Sequence, residues 1–234
     1  MAVKAGGPGL GMIEALEGCV RERLAGQPPA TYEEFARQYY QWVPEQDLRD
    51  RNPLDLCGSV VAHWRRASQR APGEAKVGVY NPDMEGDGWH SPYTVVEVVS
   101  DDMPFLVDSV TMELSRQGYA IELIIHPVMR VVRDADGVLV EVLEHGSDAP
   151  GATSESVIHA EVRRQSDSDR LAVLQAGVEL VLEEARVAVV DWALMQAKTA
   201  ALAAELDTPV PGVDAQEASE SRAFLRWLSQ DHFT

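Results

Sequence analysis

At 234 residues, with 45% hydrophobic and 25% charged residues, the chain can bury a full core and is not disordered as a whole. Its formal net charge of −18 argues against nonspecific binding to nucleic acid or to an anionic membrane surface, since both are polyanionic. No apolar run approaches the roughly 18 residues of a membrane span, and the start, MAVKAGGPGLGMIEALEG, lacks a compact apolar stretch followed by a cleavage site, so a cytoplasmic protein is expected.

The first 11 residues, rich in Gly and Ala, are expected to be mobile, and Met12 to Leu24 is predicted as a short helix broken by Pro28 and Pro29. Thr31 opens T-Y-E-E, a capping-box pattern with Thr31 as N-cap and Glu34 three residues on. That helix would carry Phe35, Tyr39 and Trp42 on one face. Asn52-Pro53 starts another, with Leu54, Cys57, Val60, Val61 and Trp64 along one side and Arg65, Arg66 and Arg70 at its electronegative end. Cys19 and Cys57 make no CxxC pattern and no framework, and are expected as two reduced, partly buried thiols.

After the linker Ala71-Pro72-Gly73, Lys76 to Tyr80 reads as a strand and Asn81 to Pro92 as a polar loop. Tyr93 to Val99 is apolar on both faces, as a central covered strand requires. It runs through an acidic turn into a helix, where Asp101 or Asp102 can cap and Pro104 fits the first turn. Leu106, Val110 and Leu114 form its apolar stripe, and Gly118 stops it. Tyr119 to Val132 is strand, interrupted at His126-Pro127. Asp134 to Gly137 is a hairpin turn, and Val138 to Leu143 returns. Val157 to Arg163 alternates, with Ile158, Ala160 and Val162 facing a core and His159, Glu161 and Arg163 facing water. Ser166 to Asp169 begins a helical pattern reaching about Leu206. Within it Ala185–Val190 reads as helix or strand, helix being favoured because no turn residue precedes it. Thr208 to Gly212 is a linker, and Asp214 to Ser229 a last helix.

Sites are sparse. Asp101, Asp102 and Asp108 read as a cap and a solvated helix face before they read as a paired-carboxylate acid/base site. The six histidines show no metal-ligand spacing, and no HExxH, GxGxxG, Walker loop or GxSxG is present, so no catalytic residue, cofactor or metal site is expected within the chain. Backbone N–H groups at the helix start after Pro104 would suit a carboxylate, although the neighbouring Asp side chains repel anions.

The stretch from Tyr80 to Asp134, above all D-D-M-P-F-L-V-D-S-V followed by a strand ending I-H-P, resembles the amino-terminal region of the very large bacterial NAD-specific glutamate dehydrogenases. V-I-H-A-E-V, V-V-D-W and F-L-R-W-L-S-Q-D-H-F-T add weaker matches, so the likeness covers most of the chain from about Asn81 onward. The resemblance implies an α+β, ACT-like (ferredoxin-like) βαβ-β sheet backed by helices. It implies a helical unit over 1–72, the ACT-like domain over 75–192, and a helical extension over 193–234 leading to a domain outside this chain. It implies a noncatalytic regulatory or assembly segment of an enzyme that deaminates L-glutamate to 2-oxoglutarate with NAD. Its partners would be other domains and subunits of that enzyme, with no nucleic acid and no membrane. The turn Asp101, Asp102, Met103, Pro104, Phe105 and Asp108 is then the effector or interface element. In ligand-binding ACT domains this turn is usually D-x-P-G-L-L, and here Phe105 stands where that glycine would admit an amino acid. Two readings of the turn therefore stay open: an amino-acid effector as a further partner, and an oligomerisation or interdomain surface. A standalone amino-acid sensor is the alternative.

Overall fold

The computed structural model describes residues 10–208 and 211–230. Residues 1–9 of the start expected to be mobile, Pro209-Val210 of the second linker and the closing D-H-F-T fall outside the described residues, while Leu10 and Gly11 are helical. The chain divides into two compact units, Met1–Glu183 and Glu184–Thr234.

Four helices come first: α1 (Leu10–Arg23), α2 (Pro29–Tyr39), α3 (Glu45–Leu48) and α4 (Pro53–Ala67). Thr31 does not cap α2. The helix starts at Pro29, and the Thr31 hydroxyl donates back to the Pro28 carbonyl at 2.7 Å from inside the first turn. Proline at the first position explains the earlier start, since its fixed φ suits it. Phe35 and Tyr39 are buried as expected, but α2 ends before Trp42, which is exposed. Asn52 caps α4, its side chain accepting from the Leu54 N–H, and Leu54 itself stays outside while Cys57, Val60, Val61 and Trp64 are buried. Cys19 and Cys57 are not free thiols: they form a disulfide between α1 and α4, with Cα atoms 6.2 Å apart. Sequence spacing gave no sign of it, because only the packing of α1 on α4 brings residues 38 apart into range.

The sheet follows: β1 (Lys76–Tyr80), β2 (Tyr93–Asp101), helix α5 (Leu106–Arg116), β3 (Ile121–Ile125), β4 (Val128–Arg133), β5 (Leu139–Val142) and β6 (Thr153–Arg163). The order is β1-β2-β6-β4-β5, with β3 also paired to β6. β2 and β3 both run antiparallel to β6, so they are parallel to one another with β6 between them. This is the split β-α-β arrangement. β3 and β4 share one edge of β6 end to end, β3 on its Arg163 half and β4 on its Thr153 half, and the break between them falls at His126-Pro127. Proline cannot donate to the ladder, so the strand is cut where the sequence put it.

Each face of the sheet has its own apolar core. On one side Val96, Val98, Ile158, Ala160 and Val162 pack against Leu106, Val110 and Leu114 of α5 and Leu174, Val178 and Leu182 of the next helix, α6 (Ser168–Glu205). Gly118, in the left-handed region at φ 82°, ends α5 with a Tyr119 N–H to Leu114 O bond at 2.9 Å. On the other side α1, α2 and α4 share a core with Val99, Met129, Val131, Leu139 and Val157. That cover overturns one expectation. The face of β6 read as wet is dry at His159 and Glu161, only 1% and 3% exposed, while Arg163 at the strand's end is exposed as expected. Strand periodicity identifies two faces but cannot say that an earlier helical segment will cover the polar one.

Pro104 and the aspartates also differ from expectation. Helix α5 begins at Leu106, its N-cap is Phe105, and no side chain caps it. Ala185–Val190 is helical, within the single 38-residue α6. In the second unit, α7 (Ala215–Leu228) is capped by Asp214, and Asp207 holds Arg222 and Arg226 at 3.0 Å each.

Candidate functional site: a polar cluster under the helical cover

β2 carries one acidic residue inside an otherwise apolar run, Glu97, and β6 carries His159 and Glu161 on the same face. Glu97 and His159 are direct partners in the β2–β6 register. α4 lays His63 and Arg66 over them, α2 contributes Tyr39, and Tyr40 follows at its end. The result is a buried group of ionisable side chains inside an otherwise apolar interface.

Almost every polar atom there is matched. The Tyr39 hydroxyl lies 3.0 Å from His63 Nδ1, and His63 Nε2 lies 3.2 Å from the Val98 carbonyl. A carbonyl only accepts, so the proton of neutral His63 sits on Nε2 and Tyr39 donates to Nδ1. Arg66 Nε reaches Glu97 Oε2 at 3.0 Å, and the Tyr80 hydroxyl donates to Oε1 at 2.9 Å. Arg51 Nη1 holds Glu161 Oε1 at 2.7 Å. The Tyr40 hydroxyl is 2.6 Å from Ser59 Oγ. Burial pushes His63 down to about 4 and drives the Tyr39 and Tyr80 hydroxyls up. For Glu161 burial acts upward, but neighbouring His159 and Arg51 outweigh it and bring the carboxyl to about 2.

His63, Glu97 and His159 offer ligand atoms within 4.8 Å of one another, close enough for a metal ion. The chemistry of the donor set points elsewhere. Both His63 nitrogens and both Glu97 oxygens already have partners, and one of those partners is a guanidinium. A cation would have to displace one partner of His63, either Tyr39 or Val98, and one partner of Glu97, either Arg66 or Tyr80. The group is a hydrogen-bonded network that fixes the helices on the sheet.

The turn singled out in the sequence lies apart from this cluster, where β2 gives way to α5. Asp101 is engaged: Arg70 Nη2 reaches its Oδ1 at 2.5 Å and the Gly73 N–H its Oδ2 at 3.0 Å. Arg70 is 2% exposed and also binds Glu155 at 2.6 Å, which in turn takes two bonds from Arg133. The Asp102 N–H donates to the Ser154 carbonyl at 2.9 Å. Met103 is half-buried against the α5 core, while Pro104 and Asp108 are exposed. Phe105 has φ 73°, the only positive value at a non-glycine among the described residues, and its ring is 54% exposed.

Sequence reasoning missed Glu97, His63, Arg66, Arg51 and Tyr39. One signal was available: Glu97 interrupts T-V-V-E-V-V, and a carboxylate in the middle of a central strand needs a partner. His63 likewise sits among Val60, Val61 and Trp64 on the buried side of its helix.

A six-stranded antiparallel sheet with a split β-α-β unit, α5 and α6 on one face and a helical cover on the other, defines an α+β protein of the ACT-like class. The profile described as "Glutamate dehydrogenase, ACT1 domain" matches residues 35–178, more than half of the chain, and the chain belongs to that family. It is 39% identical over 200 residues to the NAD-specific glutamate dehydrogenase of Pseudomonas aeruginosa, covering 86% of this chain and 12% of the relative. Against the enzyme of the same name from Halomonas elongata it is 39% identical over 227 residues, 96% of this chain and 14% of the relative. Mycobacterium tuberculosis has another at 29% over 174 residues, 74% and 10% respectively. The chain thus spans about an eighth of the length of the first two relatives. No helix among the described residues is long and apolar enough to cross a membrane.

Proposed function

We propose that this chain is the noncatalytic ACT-like segment of an NAD-dependent glutamate dehydrogenase, acting in regulation or subunit assembly in the cytoplasm. The whole enzyme would convert L-glutamate to 2-oxoglutarate and ammonia with NAD, in a catalytic domain outside this chain. Its partners would be the other domains and subunits of the same enzyme.

One observation carries the reading. Val173, Leu180, Val187 and Leu194 recur every seven residues along α6 and are 61%, 58%, 46% and 67% exposed. A seven-residue apolar stripe left open on a long helix suits docking against another helix. The turn at 101–108 supports the same reading, because its Asp101 is tied to Arg70 and its Phe105 occupies the left-handed position that an amino-acid site would leave to glycine.

Two measurements test it. The isolated chain is expected to form no NADH from glutamate and NAD, and measurable turnover at ordinary enzyme concentration would overturn the noncatalytic role. Leu180→Lys with Leu194→Lys, placed in the whole enzyme, should weaken its assembly in sedimentation velocity. An unchanged distribution would remove the stripe as the docking face. A micromolar response of the turn to one of the twenty amino acids in calorimetry would favour the standalone sensor.

A further inference from the structure

The second unit has almost no core of its own. Among the described residues from Glu184 onward only Ala185, Thr199 and Ala203 are buried, and α7 buries none. Thr199 and Ala203 share one face of α6, and Gln196 beside them donates to the Ser229 carbonyl, just past α7, at 3.1 Å. The face of α6 turned away from them carries Val187, Val190, Leu194, Ala197, Ala201 and Ala204, and all six are exposed. Their spacing alternates between three and four residues, the a and d pattern of a coiled-coil seam. At 1.5 Å per residue the seam is about 25 Å long.

The order of sizes along the seam specifies its cover. The first half is bulky, Val187, Val190 and Leu194, and the second half is alanine. A parallel copy would set Leu194 against Leu194 and Ala201 against Ala201, too wide at one end and too narrow at the other. Reversed, the seam fits itself. A two-fold axis between residues 195 and 196 puts Leu194 opposite Ala197, Val190 opposite Ala201 and Val187 opposite Ala204, so every layer pairs a large side chain with a small one. The charges at the centre agree with that register. Asp191 and Lys198 each follow a d position, both are exposed, and the axis brings Asp191 of either copy beside Lys198 of the other. Only beyond the last layers do like charges meet, Glu184 against Glu205.

We propose that this face of α6 pairs with the same face of a second copy of the chain, antiparallel, with Leu194 of each copy against Ala197 of the other. The two helices complete a core that neither hairpin can form by itself. This names the partner for the assembly reading and rests on it.

Sedimentation equilibrium of the 234-residue chain tests it. The chain should dimerise with a Kd on the order of 10 μM, as suits so short a seam. Val190→Lys should leave it monomeric. Lys198→Glu sets acid against Asp191 at both sites and should weaken the dimer about tenfold. Asp191→Lys with Lys198→Asp exchanges the two charges and should restore it. Only an antiparallel pair is restored in this way, because in a parallel pair these two positions do not meet. Glu205→Lys removes the opposed charges at the ends and should tighten the dimer a few-fold. All these side chains are exposed, so the fold does not rest on them. A chain that stays monomeric up to about 300 μM, or a dimer that the charge exchange fails to restore, would overturn the proposal. The assembly reading fails separately, when Leu180→Lys with Leu194→Lys leaves the whole enzyme unchanged. Loss of assembly there without self-pairing here would mean that a different helix covers the seam.

Discussion

Glu97 and His159 face each other across the β2–β6 ladder, and the N-terminal helices seal both from water. The pairing explains why α4 sits where it does. A buried carboxylate needs partners, and α4 supplies one in Arg66 while β1 supplies the other in Tyr80. The helical cover is therefore held by charge recognition as well as by apolar burial.

Removing one side of that recognition tests the point. Arg66→Met leaves Glu97 buried with only a hydroxyl partner, and breaking such a pair costs about 3 kcal/mol. Urea unfolding should show that loss. Adding Glu97→Gln removes the stranded charge while keeping an acceptor for Tyr80, so the double variant should recover at least half of it. If the double variant is no better than Arg66→Met alone, the ion pair does not organise the cover.

The pH dependence follows from His63. Its folded value of about 4 lies below the ordinary 6.5, because burial disfavours the charged ring. The stability it contributes is therefore full above 6.5. It falls as pH drops from 6.5 toward 4, since the unfolded chain takes up the proton first. The loss over that window should be about 3 kcal/mol. Glu161 is also depressed, but its loss falls lower, between 4.5 and 2. Urea midpoints across pH should decline in two stages, and His63→Gln should flatten only the upper one.

Much of the sheet side was legible from local pattern. β2, the Leu106–Val110–Leu114 stripe, the Gly118 stop and the break at Pro127 each rest on residues near one another in the chain. What escaped depends on long-range cover. His159 and Glu161 alternate with apolar residues as a wet face would, and only the helices at the far end of the sequence make that face dry. The Cys19–Cys57 bond and the Arg70–Glu155–Arg133 cluster are of the same kind, joining segments whose proximity no periodicity announces. For the turn, the resemblance to ligand-binding ACT domains set Phe105 at the position of their glycine, and its φ of 73° agrees, but capping by aspartate did not follow.

The disulfide makes a separable prediction. Cross-linking residues 38 apart restricts the unfolded chain, which is worth about 4 kcal/mol. Thiol titration of the oxidised, unfolded chain should find no free thiol. Reductant should lower the urea midpoint accordingly, and Cys19→Ser should match the reduced protein and lose all response to reductant. Because the cytosol keeps most thiols reduced, the reduced state must still fold if the chain works there. Loss of all cooperative unfolding on reduction would contradict a cytoplasmic role.

Phe105 provides the last test, because its backbone and its ring make opposite demands. A side chain in the left-handed region costs about 1 kcal/mol, and this ring recovers little by burial, being 54% exposed. Phe105→Gly removes that cost but adds freedom to the unfolded chain, which offsets part of the gain. A net increase of up to about 1 kcal/mol is expected. Phe105→Ala keeps the strained backbone and should show no such gain, so the difference between the two variants isolates the conformation. Both delete the exposed ring. If the ring serves as an interface contact, both should weaken assembly of the whole enzyme equally in sedimentation velocity, although only one is more stable. Equal stability of the two variants would mean that the left-handed turn is not strained. Unchanged assembly in both would mean that the exposed ring is not a contact.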